Sequence, residues 1–595
     1  MTSETMLLAH GEQVSWGTFG TDWLYLLVPV AALIAIVAWL AVTGTTTRRG
    51  VVPALVGRIG SSLERVTGIP AWAAAGIGMG AWALLVAVIG FLWDVAWHID
   101  FGRDEFLFTP SHLMILVGLA AIVASAAATI LFASVLEADT GWRRGRVRLP
   151  YGAVALGALG LGAIAGFPLD ELWHRNYGID VTMWGPTHLL MISGASFAPL
   201  GMWLLFREAQ SGMRDERFAR VIKLFLAAAT VVGLSTFQAE FDFGVPQFQQ
   251  LYHPVLIAAA TGVGLVLART VLGAGGALIA AASFLAVRGA LVALLGPVLN
   301  QTVARPPLYV GAALTVELAA IFARRVQPLS RAIVTGLLVG TAGLASEWAW
   351  THAFGRHPWG PNLFPGVLVA VAVAVAAAVL GTAMGRVLSS GAPGIATAPL
   401  VLAALALLAG LMLPLPRSDA AYEATMTTEP AGEGTVDLTI AVDPPTAVTE
   451  TDMFEVMSWQ GGSLVITELV GNASGSYRSA TPVPADGDWK SMVRISDKDV
   501  MVAAPVFMPA DPEIGAAEIP VAPLRSAPFE RDTKLLMREA HAGAAWPVTI
   551  AYTSILGVAL CWIAALTAGF VRLGSDRGRR RKAGAIGGTK KAVTT

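Results

Sequence analysis

Long apolar runs separated by short polar connections dominate the sequence. Thirteen of them are close to the 20 residues that a helix needs to cross the hydrocarbon core of a bilayer. They cover 23–43, 74–96, 111–136, 151–172, 187–206, 222–241, 253–271, 276–297, 307–323, 332–351, 366–385, 397–415 and 547–571. The pattern predicts an all-α polytopic membrane bundle of about thirteen transmembrane helices.

The segment between the twelfth and thirteenth runs has a different character. Residues 416–545 contain short alternating apolar stretches, separated by turn signals such as Gly461-Gly462 and Asp486-Gly487. Several short strands with regular turns are typical of a small antiparallel β-sandwich. The predicted order is therefore an N-terminal segment (1–22), a twelve-helix membrane domain (23–415), the inserted β-sandwich (416–545), a final transmembrane helix (546–572) and a basic tail (573–595).

Positive charges predict the orientation of this bundle. Residues 1–22 contain no Lys or Arg, whereas Arg48 and Arg49 follow the first apolar run and the tail after the last run is basic. Under the positive-inside rule, the N-terminus lies outside and the C-terminus in the cytoplasm. The prediction is a multi-pass protein of the cell membrane, with an extracytoplasmic sandwich.

Composition supports the bilayer and excludes other classes. The chain is 55% hydrophobic and 14% charged, with a mean hydropathy of +0.64, whereas soluble domains carry about 25% charged residues. The predicted partners are the lipid bilayer and further copies of the chain or other membrane subunits. No basic patch interleaved with aromatic residues indicates nucleic acid. The single cysteine, Cys561, excludes a disulfide framework and any Cys-based zinc or iron–sulfur site.

An internal repeat contains the candidate chemistry. The pattern D-x3-H-x13-H occurs twice, at an offset of 76 residues. The first copy consists of Asp94, His98 and His112, and the second of Asp170, His174 and His188. In each copy the carboxylate and the first imidazole are at positions i and i+4 of one helix, so they share a face. A short outer loop then returns the second imidazole to the same membrane depth.

Two imidazoles and a carboxylate suit copper, zinc or non-haem iron. We expect Asp104 and Asp180, which follow the first histidines, to support the imidazoles from outside the ligand set. The same residue types have other uses in membranes, because a histidine can be a hydrogen-bonded structural residue and repeated Asp and His can form a proton relay.

Two weaker copies of the repeat follow, at offsets of 142 and 253 residues. They supply possible auxiliary metal ligands: Glu240, Asp242, His253, Glu347, His352 and His357. Two further charges within predicted spans, Arg288 and Glu317, should meet at one depth as a buried ion pair.

The doubled pattern resembles the C subunit of particulate methane and ammonia monooxygenases, over about residues 74–206. The first copy matches the Asp-His-His triad of that subunit residue by residue. In the second copy both histidines match, and Asp170 stands where that subunit has asparagine. The resemblance implies copper as the cofactor and an oxidoreductase, monooxygenase-like function. It assigns no catalytic residue beyond the ligands.

A second resemblance concerns the insert. The stretch SGSYRSATPVPADGDWKSMVRI resembles FixH-like and YtkA-like domains, over about residues 430–530. Such domains occur in copper-handling membrane proteins, which implies an alternative function: non-catalytic copper handling or assembly of a membrane complex. A transporter is a third class.

Overall fold

The computed structural model describes residues 50–101, 108–177, 183–246, 250–412, 421–449, 451, 453–460, 463–472, 475–497, 500–512, 515–536, 538 and 545–591. Its helices, in chain order, are α1 Val51–Thr67, α2 Ala71–Phe101, α3 Pro110–Val135, α4 Tyr151–Tyr177, α5 Pro186–Ala209, α6 Glu216–Ser235, α7 Ala239–Phe243, α8 Tyr252–Leu272, α9 Gly276–Ala293, α10 Val310–Phe322, α11 Pro328–Leu338, α12 Leu344–Phe354, α13 Val367–Ser390, α14 Thr397–Met412, α15 Thr446–Thr449, α16 Asp532–Leu536 and α17 Ala545–Lys591.

Ten apolar helices in the described part of the chain are long enough to cross a membrane. All ten coincide with predicted runs, and α11 and α12 form one of them through a π-helical turn at Val339–Gly343. The predicted runs 307–323 and 397–415 correspond to the shorter apolar helices α10 and α14. The run 23–43 lies outside the described residues. A multi-pass membrane bundle is therefore supported, although the number thirteen stays a prediction.

Helix α1 lies in a segment that the sequence analysis treated as a connection between two spans. Helix α1 carries apolar side chains that remain exposed, among them Val51 and Val66 at 84% and 77% exposure. It also carries the arginines Arg58 and Arg65. An amphipathic helix of this kind suits the surface of a bilayer better than its interior.

The inserted segment folds into antiparallel strands. They are β3 Glu423–Gly432, β4 Thr435–Asp443, β5 Phe454–Gln460, β6 Ser463–Gly471, β7 Tyr477–Ser479, β8 Val483–Pro484, β9 Lys490–Asp497, β10 Val500–Phe507, β11 Leu524–Pro528 and β12 Glu530–Arg531. Strands β1 Trp142–Arg144 and β2 Val147–Leu149 form a separate small hairpin between α3 and α4. In β4, Val436, Leu438, Ile440 and Val442 are buried while the residues between them are not. This period of two produces one apolar face.

The strands follow a single hydrogen-bonded path in the order β11-β3-β4-β7-β6-β5-β9-β10-β12, with β8 beside β4. The two end strands, β11 and β12, are separated only by Phe529, so the two ends of the path come together. The sheet is barrel-like. The sequence predicted a small antiparallel sandwich, which the strand pairing does not confirm, because β6 pairs with both β5 and β7.

The sheet domain packs on the end of the bundle where α2 finishes and α3 begins. Trp459 and Leu464, from the β5–β6 hairpin, pack with Leu92, Ala96 and Ile99 of α2. The last helix, α17, returns to the bundle and packs against α4 and α5, where the indole N–H of Trp562 donates to the carbonyl of Ala158 at 2.8 Å.

Candidate metal centre

The two copies of the repeat form equivalent helical hairpins, α2–α3 and α4–α5. Their helices cross at small residues in matching positions. A Cβ on Gly118 would lie 2.7 Å from the Ala87 Cβ, and a Cβ on Gly194 would lie 2.6 Å from the Ala163 Cβ. The second contact repeats the first at an offset of 76 residues, so the duplication in the sequence is also a duplication of helix packing.

A second close approach lies next to the candidate ligands. Gly90 and Gly166 precede Asp94 and Asp170 by four residues, one helical turn. A Cβ on Gly90 would lie 3.0 Å from the backbone oxygen of Ser111, and one on Gly166 would lie 2.9 Å from that of Thr187. These glycines bring the start of the second helix against the carboxylate of the first. The sequence signal was available as G-x3-D-x3-H in both copies.

The second helix of each hairpin begins at proline. Pro110 and Pro186 occupy the first helical turn, where the missing N–H costs nothing and the fixed φ favours a helix. At α3 the Thr109 hydroxyl caps the backbone N–H of His112 at 3.4 Å. His112 and His188 are therefore each in the first turn of a helix, facing the last turns of the preceding one.

The first triad brings its three side chains together. The Nε2 atom of His112 lies 3.2 Å from one carboxylate oxygen of Asp94, and Nε2 of His98 lies 3.7 Å from the other. The two imidazole rings are 6.0 Å apart, centroid to centroid. All three side chains are partly buried, between 16% and 29% exposed.

The second triad has nearly the same geometry. Nε2 of His188 lies 3.3 Å from one oxygen of Asp170, and Nε2 of His174 lies 3.7 Å from the other. The ring centroids are 5.8 Å apart. Within the described residues, Nε2 of His174 is buried without a hydrogen-bond partner. A buried polar atom without a partner is unusual and calls for a water or an ion.

These distances fit a metal ion. Ligand atoms about 2.0 Å from a tetrahedral ion stand roughly 3.3 Å apart. In each triad the carboxylate and imidazole atoms are 3.2–3.7 Å apart, and one ligand atom from each residue lies within 4.8 Å of the others. Three protein ligands leave coordination positions open for a further molecule, as in catalytic rather than structural sites.

A hydroxyl group orients the carboxylate of each triad. The Ser111 hydroxyl donates to Asp94 at 2.8 Å, and the Thr187 hydroxyl donates to Asp170 at 2.5 Å. Both stand between the proline and the histidine of their copy, so P-S/T-H was the sequence signal. Asp104 and Asp180, which we expected to give this support, lie outside the described residues.

The two triads are neighbours. The ring of His112 packs edge-on against Phe167, which lies on the helix of Asp170 and His174, with centroids 6.0 Å apart. His98 is close enough to His174 to interact with it electrostatically. The two candidate sites therefore belong to one region at one end of the bundle.

Comparisons with known proteins do not indicate what these triads bind. Comparisons with protein-family models, with curated proteins and with solved structures found no match. What the triads can bind is therefore inferred from their donor atoms, distances and burial.

The six auxiliary candidates are not brought together in this way. Among the described residues, only the two triads form a group of three or more His, Cys, Asp or Glu with ligand atoms this close. Glu240 instead accepts the backbone N–H of Met183 at 2.8 Å, and so holds the chain just before the second triad's α5. Asp242 pairs with Arg288.

The three auxiliary histidines have separate surroundings. His253 stacks on Phe241 and accepts the indole N–H of Trp359 at its Nδ1, at 3.1 Å. His352 is exposed, with Nδ1 2.9 Å from the carbonyl of Trp348. Their role as ligands stays a prediction from the sequence, and the described geometry gives it no support.

His357 connects the membrane domain to the sheet domain. Its Nδ1 lies 3.2 Å from the Glu455 carboxylate and its Nε2 lies 3.1 Å from the Gly244 carbonyl oxygen. Both partners offer acceptor oxygens, so these contacts favour the imidazolium form, in which both ring nitrogens donate. Burial alone disfavours this charge, but the carboxylate of Glu455 outweighs it and raises the pKa of His357. Burial alone would raise the pKa of Glu455, and the charge of His357 lowers it instead.

Two further contacts fix the same boundary. Arg494 of β9 is fully buried, donates to the Pro246 carbonyl at 2.6 Å and pairs with Asp532 at 2.7 Å. Burial raises the pKa of Asp532, against the effect of the Arg494 charge. The indole N–H of Trp459 donates to the carbonyl of Ile99, one residue after His98.

The predicted pair of Arg288 and Glu317 is wrong. Glu317 pairs with Arg269 at 2.7 Å and accepts the backbone N–H groups of Gly275 and Ala277 at the start of α9. Helix α10 is only 13 residues long, so Glu317 reaches the opposite end of the bundle from the triads. There it stabilises a helix N-terminus.

Proposed function

We propose that the protein is a copper-binding integral membrane protein with one ion at each Asp-His-His triad. The observation that carries this proposal is that two triads with the same spacing and the same internal distances lie side by side at one end of the bundle. Matching glycines, hydroxyls and prolines hold the two sets of donors in the same arrangement.

The choice of metal depends on the donor set. Imidazole suits zinc, copper, iron and nickel, and a site with two histidines and one carboxylate also suits non-haem iron. Copper is our first candidate because the doubled pattern resembles the C subunit of particulate methane and ammonia monooxygenases. Zinc and non-haem iron are the alternatives.

We propose further that the sites serve oxidoreductase chemistry. A redox-active ion with open coordination positions can bind and activate a small molecule such as dioxygen. The chain's own contribution is to hold each carboxylate through Ser111 or Thr187 and to keep the ligands partly shielded from solvent. We place this end of the bundle on the outer side of the cell membrane, following the distribution of arginines.

Non-catalytic copper handling is the second candidate. It is favoured by the position of the sheet domain, whose Trp459 contacts Ile99 beside the first triad, and by the resemblance of that domain to copper-handling modules. A domain in this place is suited to exchange metal with a partner protein.

Elemental analysis of the purified full-length protein tests the proposal. We expect two ions for each chain after growth with copper, and a cupric electron paramagnetic resonance spectrum with nitrogen hyperfine coupling. A copper signal that changes on exposure to dioxygen after reduction supports oxidoreductase chemistry, whereas an unreactive one supports handling. Zinc alone contradicts redox chemistry, and absence of any bound metal contradicts the proposal as a whole.

A further inference from the structure

A second group of ionisable side chains is buried within the membrane domain, apart from the triads. Asp242, Arg288 and Glu347 are each 1% exposed, and the neighbouring Tyr309 and Gln238 are fully buried. We call these five residues the acid–arginine cluster. Its two acids, Asp242 and Glu347, lie in the third and fourth copies of the repeat, which have lost the paired histidines.

The cluster is held by specific contacts. The guanidinium of Arg288 pairs with the carboxylate of Asp242. Glu347 accepts two backbone N–H groups, from Tyr309 at 2.7 Å and from Leu308 at 3.0 Å. The hydroxyl of Tyr309 bonds to the side-chain amide of Gln238 at 2.8 Å.

The backbone at Tyr309 supports a built site. Its φ of 59° lies in the left-handed region, which bulky residues rarely adopt, and such conformations concentrate at functional sites. Here the turn aims the consecutive N–H groups of Leu308 and Tyr309 at the single carboxylate of Glu347. The unfavourable backbone conformation of Tyr309 therefore helps to hold the buried carboxylate of Glu347.

The charges of the cluster do not balance. Two carboxylates, Asp242 and Glu347, lie close enough to interact electrostatically, and Arg288 is the single cation among the cluster's residues. An unpaired charge in a low-dielectric interior is expensive, and two carboxylates that share a site cannot both ionise readily. Within the described residues, Oδ1 of Asp242 and Nη1 of Arg288 are also buried without a hydrogen-bond partner.

We propose that the acid–arginine cluster is a proton-binding site, in which Asp242 and Glu347 together hold one proton. Arg288 balances the charge of one carboxylate, and the proton neutralises the other. The site is next to the first hairpin, because Ala239 and Phe243 of α7 pack with Leu92, Ala96 and Ile99 of α2. It is therefore placed to exchange a proton with chemistry at that end of the bundle. The inference does not depend on the identity of the metal or on its presence.

Infrared spectroscopy of the purified full-length protein in lipid nanodiscs tests the proposal. A protonated carboxyl has a carbonyl-stretch band above the amide region that shifts in heavy water. We expect such a band at neutral pH, where exposed carboxyls are ionised. Either Asp242→Asn or Glu347→Gln should remove the cluster's share of it, since the one remaining carboxylate and Arg288 then carry no net charge.

Matched variants separate this result from a general effect. Glu317→Gln removes a carboxylate that already has its own cation, Arg269, and should leave the band unchanged. Arg288→Gln leaves two acids without a cation, so the cluster's share of the band should roughly double. Asp242→Asn is the milder change, because it keeps the contact of Glu347 with the backbone. A band that persists in both Asp242→Asn and Glu347→Gln, or no shifted band in the parent protein, would overturn the proposal.

Discussion

Replacing His112 by alanine should remove one bound ion and leave the other. The second triad supplies a complete and separate set of donors, with its own 3.3 Å contact between His188 and Asp170. The ratio of metal to protein should therefore fall from two to one, the number of triads that remain. His188→Ala should lose the other ion, and the double variant should lose both.

The expected loss of metal affinity in His112→Ala follows from the ligands that remain at the first triad. Without the imidazole of His112, only Asp94 and His98 are left, with their nearest ligand atoms 3.7 Å apart. Removing a residue that merely orients a ligand costs about 10- to 100-fold in metal affinity, so removing a ligand itself should cost at least about 100-fold. That loss corresponds to about 2.8 kcal/mol, enough to empty the site during dialysis against a weak chelator.

A graded variant checks the reasoning. Ser111→Ala keeps all three ligands but removes the 2.8 Å hydrogen bond to Asp94. A hydrogen bond to a charged group contributes about 1.5–3 kcal/mol, so we expect the affinity of one site to fall about 10- to 100-fold. With copper in excess and no chelator, the stoichiometry should stay at two.

The matched control is His352→Ala, which removes an exposed imidazole whose ring nitrogen contacts the carbonyl of Trp348. It should change neither stoichiometry nor affinity. The assay is elemental analysis with competitive chelator titration on each folded variant. If His112→Ala and His188→Ala both retain two ions, the triads are structural hydrogen-bond networks and the proposal of metal binding fails.

Three further predictions concern orientation, docking and transport. In a Cys561→Ser background, a single cysteine at Gly475 should label from outside intact cells and one at Arg146 only after permeabilisation; the reverse pattern would place the triads in the cytoplasm. Because pairing raises the pKa of His357 and lowers that of Glu455, the docking contact should be complete at mildly acidic pH. It should be lost as the pH rises through the raised imidazole pKa or falls through the lowered carboxyl pKa. Amide exchange in β5 should quicken on both sides, and a flat profile would show that the pair does not hold the domain. Finally, reconstituted vesicles should bind copper without accumulating it in the lumen, and sustained uptake that depends on the triads would favour a transporter.

The membrane bundle and the two triads were predictable because each depends on a pattern that is local in the chain. A bilayer requires every spanning segment to be apolar over about 20 residues, so the runs are visible without knowing their neighbours. Metal ligation requires defined residue types at a defined spacing. The duplication of Asp94, His98 and His112 therefore stands out in the sequence, and the structure brings both sets together.

The features that the sequence did not reveal have a common physical cause. The partner of Arg288 depends on which helices are neighbours and where they begin, and neither is encoded near Arg288 itself. The same holds for Glu240, whose contact with the backbone N–H of Met183 depends on a segment that is remote in the chain. The path of the β-strands also depends on long-range pairing, since β11 and β12 follow each other in sequence but lie at opposite ends of the strand order.

By itself, the sequence determined that this protein occupies a bilayer and presents two equivalent sets of one carboxylate and two imidazoles. Both follow from requirements that act over a few helical turns. The tertiary structure decided which side chains support those sets, where the sheet domain docks and which buried charges meet. These outcomes depend on distances between helices that are remote in the chain, such as the approach at Gly90 that brings Ser111 to Asp94.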